Sequence, residues 1–313
     1  MNSSTKWEEK RLKIYRSIFE MIQENMRISY KDMAKNQNHS GRGRSHSTFL
    51  QHYKNMIEKR ITRHPILILK PFTETQLQLY TCEVNKSSKY KIYRELKEES
   101  FTEYVLMLSG KSDILVTSRS DISDKLIQRG LIITEKSKMF TPIFTIPHGK
   151  IEETSFNSLL NYEYKIGMVE RRVYQGLNFS SIDWRIYNNI KRNGREHYSK
   201  ISKEIEVDHK TVKSHFENIV LPNCTICHYF FPLGFDFYRQ TFMRVETRFE
   251  TALINAFSEL TTTNYIYPVE RALFINAFHE NNNKFLEVIE KLKEMGIIDQ
   301  YSFSIPLFAS ETF

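Results

Sequence analysis

Apolar residues along this chain recur first at helical and then at strand spacing, and the change happens twice. Ile14, Ile18 and Ile22 stand at i, i+4 and i+8, the spacing of one helix face. Three short helical patterns open the chain, at 8–24, 29–36 and 46–59, and three more follow at 182–192, 197–204 and 209–219. In the second set Ser181 or Asp183, and then Asp208, have side chains suited to cap a helix N-terminus. After each set the period shortens. Residues 76–84 (Gln-Leu-Gln-Leu-Tyr-Thr-Cys-Glu-Val) alternate as a half-buried strand. A helix is predicted over 89–98, strands over 102–108 and 114–118, a helix over 121–129 ended by Gly130, and a last strand over 140–146. The second half predicts a strand at 241–246, a helix at 248–260, and strands at 265–267 and 272–278. A helix at 283–295, ended by Gly296, and a strand at 301–307 complete it. Both halves run β-α-β-β-α-β, the ferredoxin-like order in which helices cover one sheet face.

The two halves also match residue by residue. Ile14, Ile18, Phe19, Ile22, Asn25, Arg27 and Tyr30 lie over Ile182, Ile186, Tyr187, Ile190, Asn193, Arg195 and Tyr198, at a constant offset of 168 (182 against 14). A second match, at an offset of 163 (209 against 46), sets His46, Thr48, His52 and Asn55 over His209, Thr211, His215 and Asn218. The difference of five residues falls within 36–44 (Asn-Gln-Asn-His-Ser-Gly-Arg-Gly-Arg) as an insertion in the first copy. Matches through two helices with one clean insertion indicate an internal duplication.

Three short helices with a brief connection before the third form the pattern of a helix-turn-helix, whose third helix fits the DNA major groove. The order helix-turn-helix then βαββαβ resembles the Lrp/AsnC family of feast/famine transcription regulators. Ile182-Asp-Trp-Arg-Ile-Tyr and Val207-Asp-His-Lys-Thr-Val-Lys are similar to that family's DNA-binding pattern. Leu108-Ser-Gly110-Lys-Ser-Asp113-Ile-Leu-Val is similar to its Gly-x-x-Asp turn. The resemblance implies an effector-binding turn at Gly110 and Asp113, with an amino-acid-like small molecule as effector. In the second half these positions become Pro268 and Arg271. The expected fold is α+β: two helix-turn-helix, winged-helix-like domains (7–64 and 181–221) alternating with two ferredoxin-like βαββαβ domains (72–148 and 229–313). The linker at 149–180 is expected to be helical, because 152–174 holds no Pro and only Gly167, with Leu159, Leu160, Tyr164 and Met168 at helical spacing.

Composition narrows the partner. Lys+Arg 45 against Asp+Glu 37 gives a net charge of +8, which favours an anionic partner. Three cysteines cannot form a disulfide framework, and the first residues lack the apolar core of a signal peptide, so a cytoplasmic setting is expected. The longest stretch without charge, 218–235, contains Pro222, Asn223, His228 and Pro232 and does not read as a membrane helix, so no membrane partner is expected.

The first third-helix region is strongly basic, with Arg42, Arg44, Lys54, Lys59, Arg60 and Arg63 opposed only by Glu58. Such charge suits phosphates, while Ser45, His46, Ser47, Gln51 and His52 offer hydrogen bonds to base edges. Arg42 and Arg44 could alternatively reach a minor groove as an arm, or belong to a solvated basic loop. His209, Lys210, Thr211, Lys213 and Ser214 take the same places in the second copy, where Asp208 and Glu217 weaken the charge and a structural relic is the competing reading. Cys224-Thr-Ile-Cys227-His228 can be read as a haem-attachment pattern, half of a zinc site, or buried thiols behaving as small hydrophobes. No phosphate-binding or dinucleotide-binding glycine fingerprint is present.

These features predict a sequence-specific, double-stranded-DNA-binding regulator that is not an enzyme and has no cofactor or metal. One chain would form internally the pair that relatives form as homodimers, with homo-oligomers as a further option. A second hypothesis is an enzyme: sirohaem decarboxylases are similar in the same architecture, and His148, His228 and His279 would then be acid or axial groups. A third is a ligand-sensing scaffold with vestigial helix-turn-helix units.

Overall fold

A computed structural model describes residues 3–36, 46–85, 88–148 and 152–309. Helices α1 (Ser3–Glu24), α2 (Tyr30–Asn36) and α3 (His46–Glu58) come first. The apolar face foreseen in the sequence closes their core: Ile18, Phe19 and Ile22 meet Met33, Phe49, Tyr53 and Met56. A short strand, β1 (Ile66–Leu69), leads to β2 (Gln78–Val84), α4 (Lys89–Lys97), β3 (Tyr104–Gly110), β4 (Ile114–Ser118), α5 (Ser123–Gln128) and β5 (Leu131–Lys138). Then come β6 (Ile143–Phe144) and α6 (Glu152–Leu160). The second helical unit is α7 (Ser181–Ile190), α8 (Tyr198–Ile205) and α9 (His209–His215), continued by a wider π turn over Phe216–Val220. Strand β7 (Cys224–Cys227) precedes β8 (Arg239–Glu246), α10 (Glu250–Phe257), β9 (Tyr265–Pro268), β10 (Leu273–His279), α11 (Asn282–Glu294) and β11 (Gln300–Ala309).

The structure corrects the sequence reading in three places. The last strand of the first sheet unit is Leu131–Lys138, not 140–146. It pairs only with β2 at the sheet margin, so its Thr-Glu-Lys-Ser-Lys half, partly open to solvent, lacks the apolar signature of an inner strand. Among its described residues the linker is helical over Glu152–Leu160 alone. Beyond it, backbone groups bond to neighbouring elements and not to the i−4 carbonyl: Gly167 exchanges hydrogen bonds with Arg248 and Thr251, and Val169 donates to Glu250 (3.0 Å). Finally, α7 is capped by Ser180, in a capping box with Asp183 as the third helical residue, whereas Asp208 caps α9 as expected.

One nine-stranded sheet runs β5-β2-β4-β3-β11-β8-β10-β9-β6. Each half keeps the ferredoxin-like strand order, and β3 joins β11 in antiparallel register. The opposite margins meet again where Met139 bridges Val269 and the Phe140 amide donates to the Pro268 carbonyl (2.9 Å). The sheet therefore curls back on itself. Its inner faces share a core of Leu79, Leu106, Leu115, Phe242, Val269 and Phe274. Helices α4 and α5 cover the outer face of the first half, and α6, α10 and α11 that of the second.

The two helical units are locked together. Strands β1 and β7 pair antiparallel, and an arginine crosses in each direction. Arg27 donates to the Glu196 carbonyl (2.6 Å) and lies over the Tyr198 ring at 4.1 Å. Arg195 donates to the Met26 and Ile28 carbonyls (2.6 and 2.9 Å) and lies over Tyr30 at 5.1 Å. Arg27 and Arg195 stand at matching positions of the two sequence halves, as do Tyr30 and Tyr198, so each helical unit supplies the same contact to the other. Gly194 suits this approach, because a Cβ there would crowd the Met26 side chain and lie 3.0 Å from the Pro65 carbonyl.

A cationic cavity between the sheet halves

A cavity of about 880 Å³ lies between the inner faces of the two sheet halves. Leu108, Phe242 and Phe274 line its apolar floor, and the two phenylalanine rings stack at 5.5 Å with an interplanar angle of 22°. Around this floor stand four cationic side chains, Lys111, Lys136, Arg244 and Arg271, against two carboxylates, Glu135 and Glu270. Two of the cations are already engaged. Arg244 bonds Glu135 (2.6 Å) across the halves and Glu246 (2.5 Å) along its own strand. Lys136 bonds Asp121 (2.6 Å), which raises the ammonium's pKa. Lys111 and Arg271 have no ion pair among the described residues. They come from corresponding turns, β3–β4 and β9–β10, and so approach the cavity from different halves.

The Gly110–Asp113 turn borders this cavity through the residues between its ends. Gly110 has φ +133°, and a Cβ there would lie 2.8 Å from the Phe303 carbonyl, so the glycine permits β3 and β11 to meet. Asp113 receives Lys89 (2.5 Å) and the Val84 amide (2.9 Å). Burial pushes its carboxyl up, but these two donors hold it net below the usual range. Gly110 and Asp113 shape the turn, while Lys111 and Ser112 face the cavity. The sequence named Gly110 and Asp113 of this turn, which do not line the cavity, and not Lys111 and Ser112, which do. Lys136, Arg244 and Arg271 were missed; the one available signal was that Arg271 stands in the second half where Asp113 stands in the first.

The proposed DNA-facing residues divide by position. Arg42, Arg44 and Ser45 lie outside the described residues. On α3, His46, Ser47, Gln51 and Lys54 are exposed, as are His209, Lys210, Lys213 and Ser214 on α9, with Thr211 half-buried. His52 instead turns onto Tyr15 of α1 with ring centroids 5.7 Å apart, and its pKa falls through burial and the nearby Arg11. Its counterpart His215 bonds Asp183 (2.8 Å). The repeated histidines thus tie each third helix to its own first helix.

Cys224 and Cys227 end β7 on buried positions, and burial pushes both thiols up to about 12. No cluster of three His, Cys, Asp or Glu able to hold a metal occurs among the described residues. The three histidines considered for tetrapyrrole chemistry do not converge. His148 is exposed near Glu259 (3.8 Å), His228 is buried against Thr62 (2.9 Å), and His279 bonds Thr241 (2.9 Å) while stacking on Phe285. None of them lines the cavity. No helix among the described residues is long and apolar enough to cross a membrane.

No protein-family model and no curated protein sequence matches the chain. Among solved structures, the siroheme decarboxylase NirDL is similar with a TM-score of 0.58 and 10% identity, over 95% of this chain and 92% of that one. The same protein in co-complex with an iron-uroporphyrin III analogue gives 0.55 at 9% identity, with the same coverage. An AsnC family transcriptional regulator from Agrobacterium tumefaciens matches 41% of this chain and 88% of its own at 19% identity, with a TM-score of 0.31. The α+β architecture of helix-turn-helix and ferredoxin-like units is thus shared with an enzyme over nearly the whole chain. That finding overturns the expectation of a non-enzymatic protein.

Proposed function

We propose that the cavity binds a polycarboxylate tetrapyrrole and that the chain acts on it as a sirohaem-decarboxylase-like enzyme. The observation that carries this reading is the pairing of a stacked aromatic floor with uncommitted cations from both sheet halves. A tetrapyrrole has a flat apolar macrocycle and a rim of acetate and propionate groups. The macrocycle would lie on Phe242 and Phe274, with one rim carboxylate on Arg271 and the departing one on Lys111, whose ammonium is unpaired once carbon dioxide has left. Charge-assisted bonds of this type are the strong ones. Decarboxylation releases carbon dioxide and leaves a carbon that must gain a proton. Of the ammonium groups on the wall, Lys136 is tied to Asp121, so Lys111 is the candidate acid. The cavity volume lies toward the upper end of the range for small-molecule sites, roughly 300–1,000 Å³.

Iron-uroporphyrin III added to the purified chain should shift its Soret band saturably. Each charge-assisted contact contributes about 1.5–3 kcal/mol, so Lys111→Ala with Arg271→Ala should weaken binding by roughly a hundredfold to ten-thousandfold. No Soret shift with the wild-type chain, or equal binding by the double variant, would sink the assignment.

A second reading is favoured by the exposed polar faces of α3 and α9, which two interlocked helix-turn-helix units present together. On it, the chain binds double-stranded DNA through His46, Ser47, Gln51, Lys54, His209, Lys210, Lys213 and Ser214, together with Arg42, Arg44 and Ser45 of the preceding sequence. It would work in the cytoplasm as an internally duplicated pair, with a cavity ligand as effector. Lys54→Ala with Lys213→Ala should then reduce the salt slope of DNA binding by about 2, one for each phosphate contact. An unchanged slope would remove this assignment.

A further inference from the structure

A second, smaller cavity lies at the other end of the sheet, where the second helical unit meets the first sheet half. It measures about 150 Å³ and is bounded by β1, the end of α7, and the segments flanking β2 and β5. Its apolar walls are mostly aliphatic, from Ile66 to Leu69 and Leu77, with the rings of Phe140, Tyr187 and Tyr267 among them. Charge gathers on one side: Arg119, Lys191 and Arg192 face a single carboxylate, Glu103, which already bonds Arg119 at 2.9 Å. Lys191 is half-buried, and the one side-chain bond of its ammonium among the described residues is to the neutral Asn188 amide oxygen (3.1 Å). Burial lowers its pKa, and Arg119 and Arg192 push the same way while Glu103 opposes them. A half-buried ammonium without a bonded carboxylate, beside two guanidinium groups, is a place where an anion gains more than it does in water.

We propose that this junction cavity binds a single-ring aromatic carboxylate, its ring against Phe140, Tyr187 and Tyr267 and its carboxylate on Lys191 and Arg119. The size selects the ring: an apolar cavity of about 150 Å³ accepts one benzene molecule. The charge selects the anion. Because β1 and α7 belong to the helical part while Arg119 directly follows β4, such a ligand would bridge the helical and sheet parts of the chain. The inference is independent of what the larger cavity holds.

The test uses the full-length chain and benzoate, with benzyl alcohol as its uncharged counterpart, in titration calorimetry. Benzoate should bind saturably at one site per chain, and benzyl alcohol roughly tenfold or more weaker. Lys191→Met preserves bulk and removes the charge, and it should cost benzoate a similar factor while leaving benzyl alcohol unchanged. Absence of benzoate binding, equal binding of the alcohol, or an unaltered benzoate affinity in the variant would each overturn the proposal. The comparison of the two ligands on the wild-type chain decides the matter even if the variant fails to fold.

Discussion

Arg171→Ala should lower stability by roughly 3–5 kcal/mol, because it leaves a buried carboxylate without its partner. Glu250 opens α10 and is 1% exposed, and Arg171 clasps both of its oxygens, at 2.8 and 2.5 Å. The same guanidinium donates to the Val269 carbonyl at 2.6 Å, next to the place where the sheet margins meet. Removing it strands a negative charge under α10 and releases the extended segment after α6. A urea-unfolding midpoint measures the loss. Replacing both partners by apolar residues should recover part of it, since removing a buried pair together is much cheaper than removing one member. The Val169 amide, which donates to Glu250, would still lack its acceptor. A single variant as stable as the wild type would show that the pair contributes nothing.

Mild acid should destabilise the chain through two buried histidines. His228 and His279 are buried, and desolvation holds their pKa values down to about 3 and about 4. In each ring the Nε2 meets a threonine hydroxyl while the Nδ1 has no partner. Thr62 itself donates to the Tyr229 carbonyl, so it accepts the His228 Nε2–H, and a further proton at Nδ1 would be an unpaired buried charge. Unfolded, both rings take a proton near pH 6.5. Above that pH neither state binds the proton and stability is full. Below it the unfolded chain gains protons that the folded chain refuses, and stability is lost until the folded values are reached. Each ring contributes about 1.4 kcal/mol per pH unit, so together they should cost on the order of 5 kcal/mol between pH 6.5 and 4.5. Replacing both by Gln should flatten the fall in the urea midpoint over that range. An equally steep fall in the double variant would assign it to other groups.

What was legible in the sequence follows from what periodicity can register. The helical units were visible because Ile14, Ile18 and Ile22, and their counterparts, put one apolar face toward one core. The margin strand Leu131–Lys138 was not, since a strand paired on one side needs no continuous apolar face. Strands β1 and β7 are four residues each, too short for a period to establish itself. Arg27 and Arg195 stood out as matched positions, yet no sequence spacing indicates that each would cross to the other unit. The cavity cations were hidden for a related reason. Lys111 and Arg271 sit in turns, and Lys136 and Arg244 on strands whose polar faces look like ordinary surface until the sheet curls over them.

The curled sheet has a consequence for behaviour on dilution. Both walls of the larger cavity belong to one covalent chain, joined along β3 and β11. A site shared between two separate subunits disappears when the protein is diluted below their dissociation constant. Here the second wall is present at the fixed effective concentration of a tethered segment, whatever the bulk concentration. The two walls are also encoded separately, so Lys111 can change without a matching change at Arg271. A self-pairing subunit has no such freedom, because every substitution enters its shared site twice.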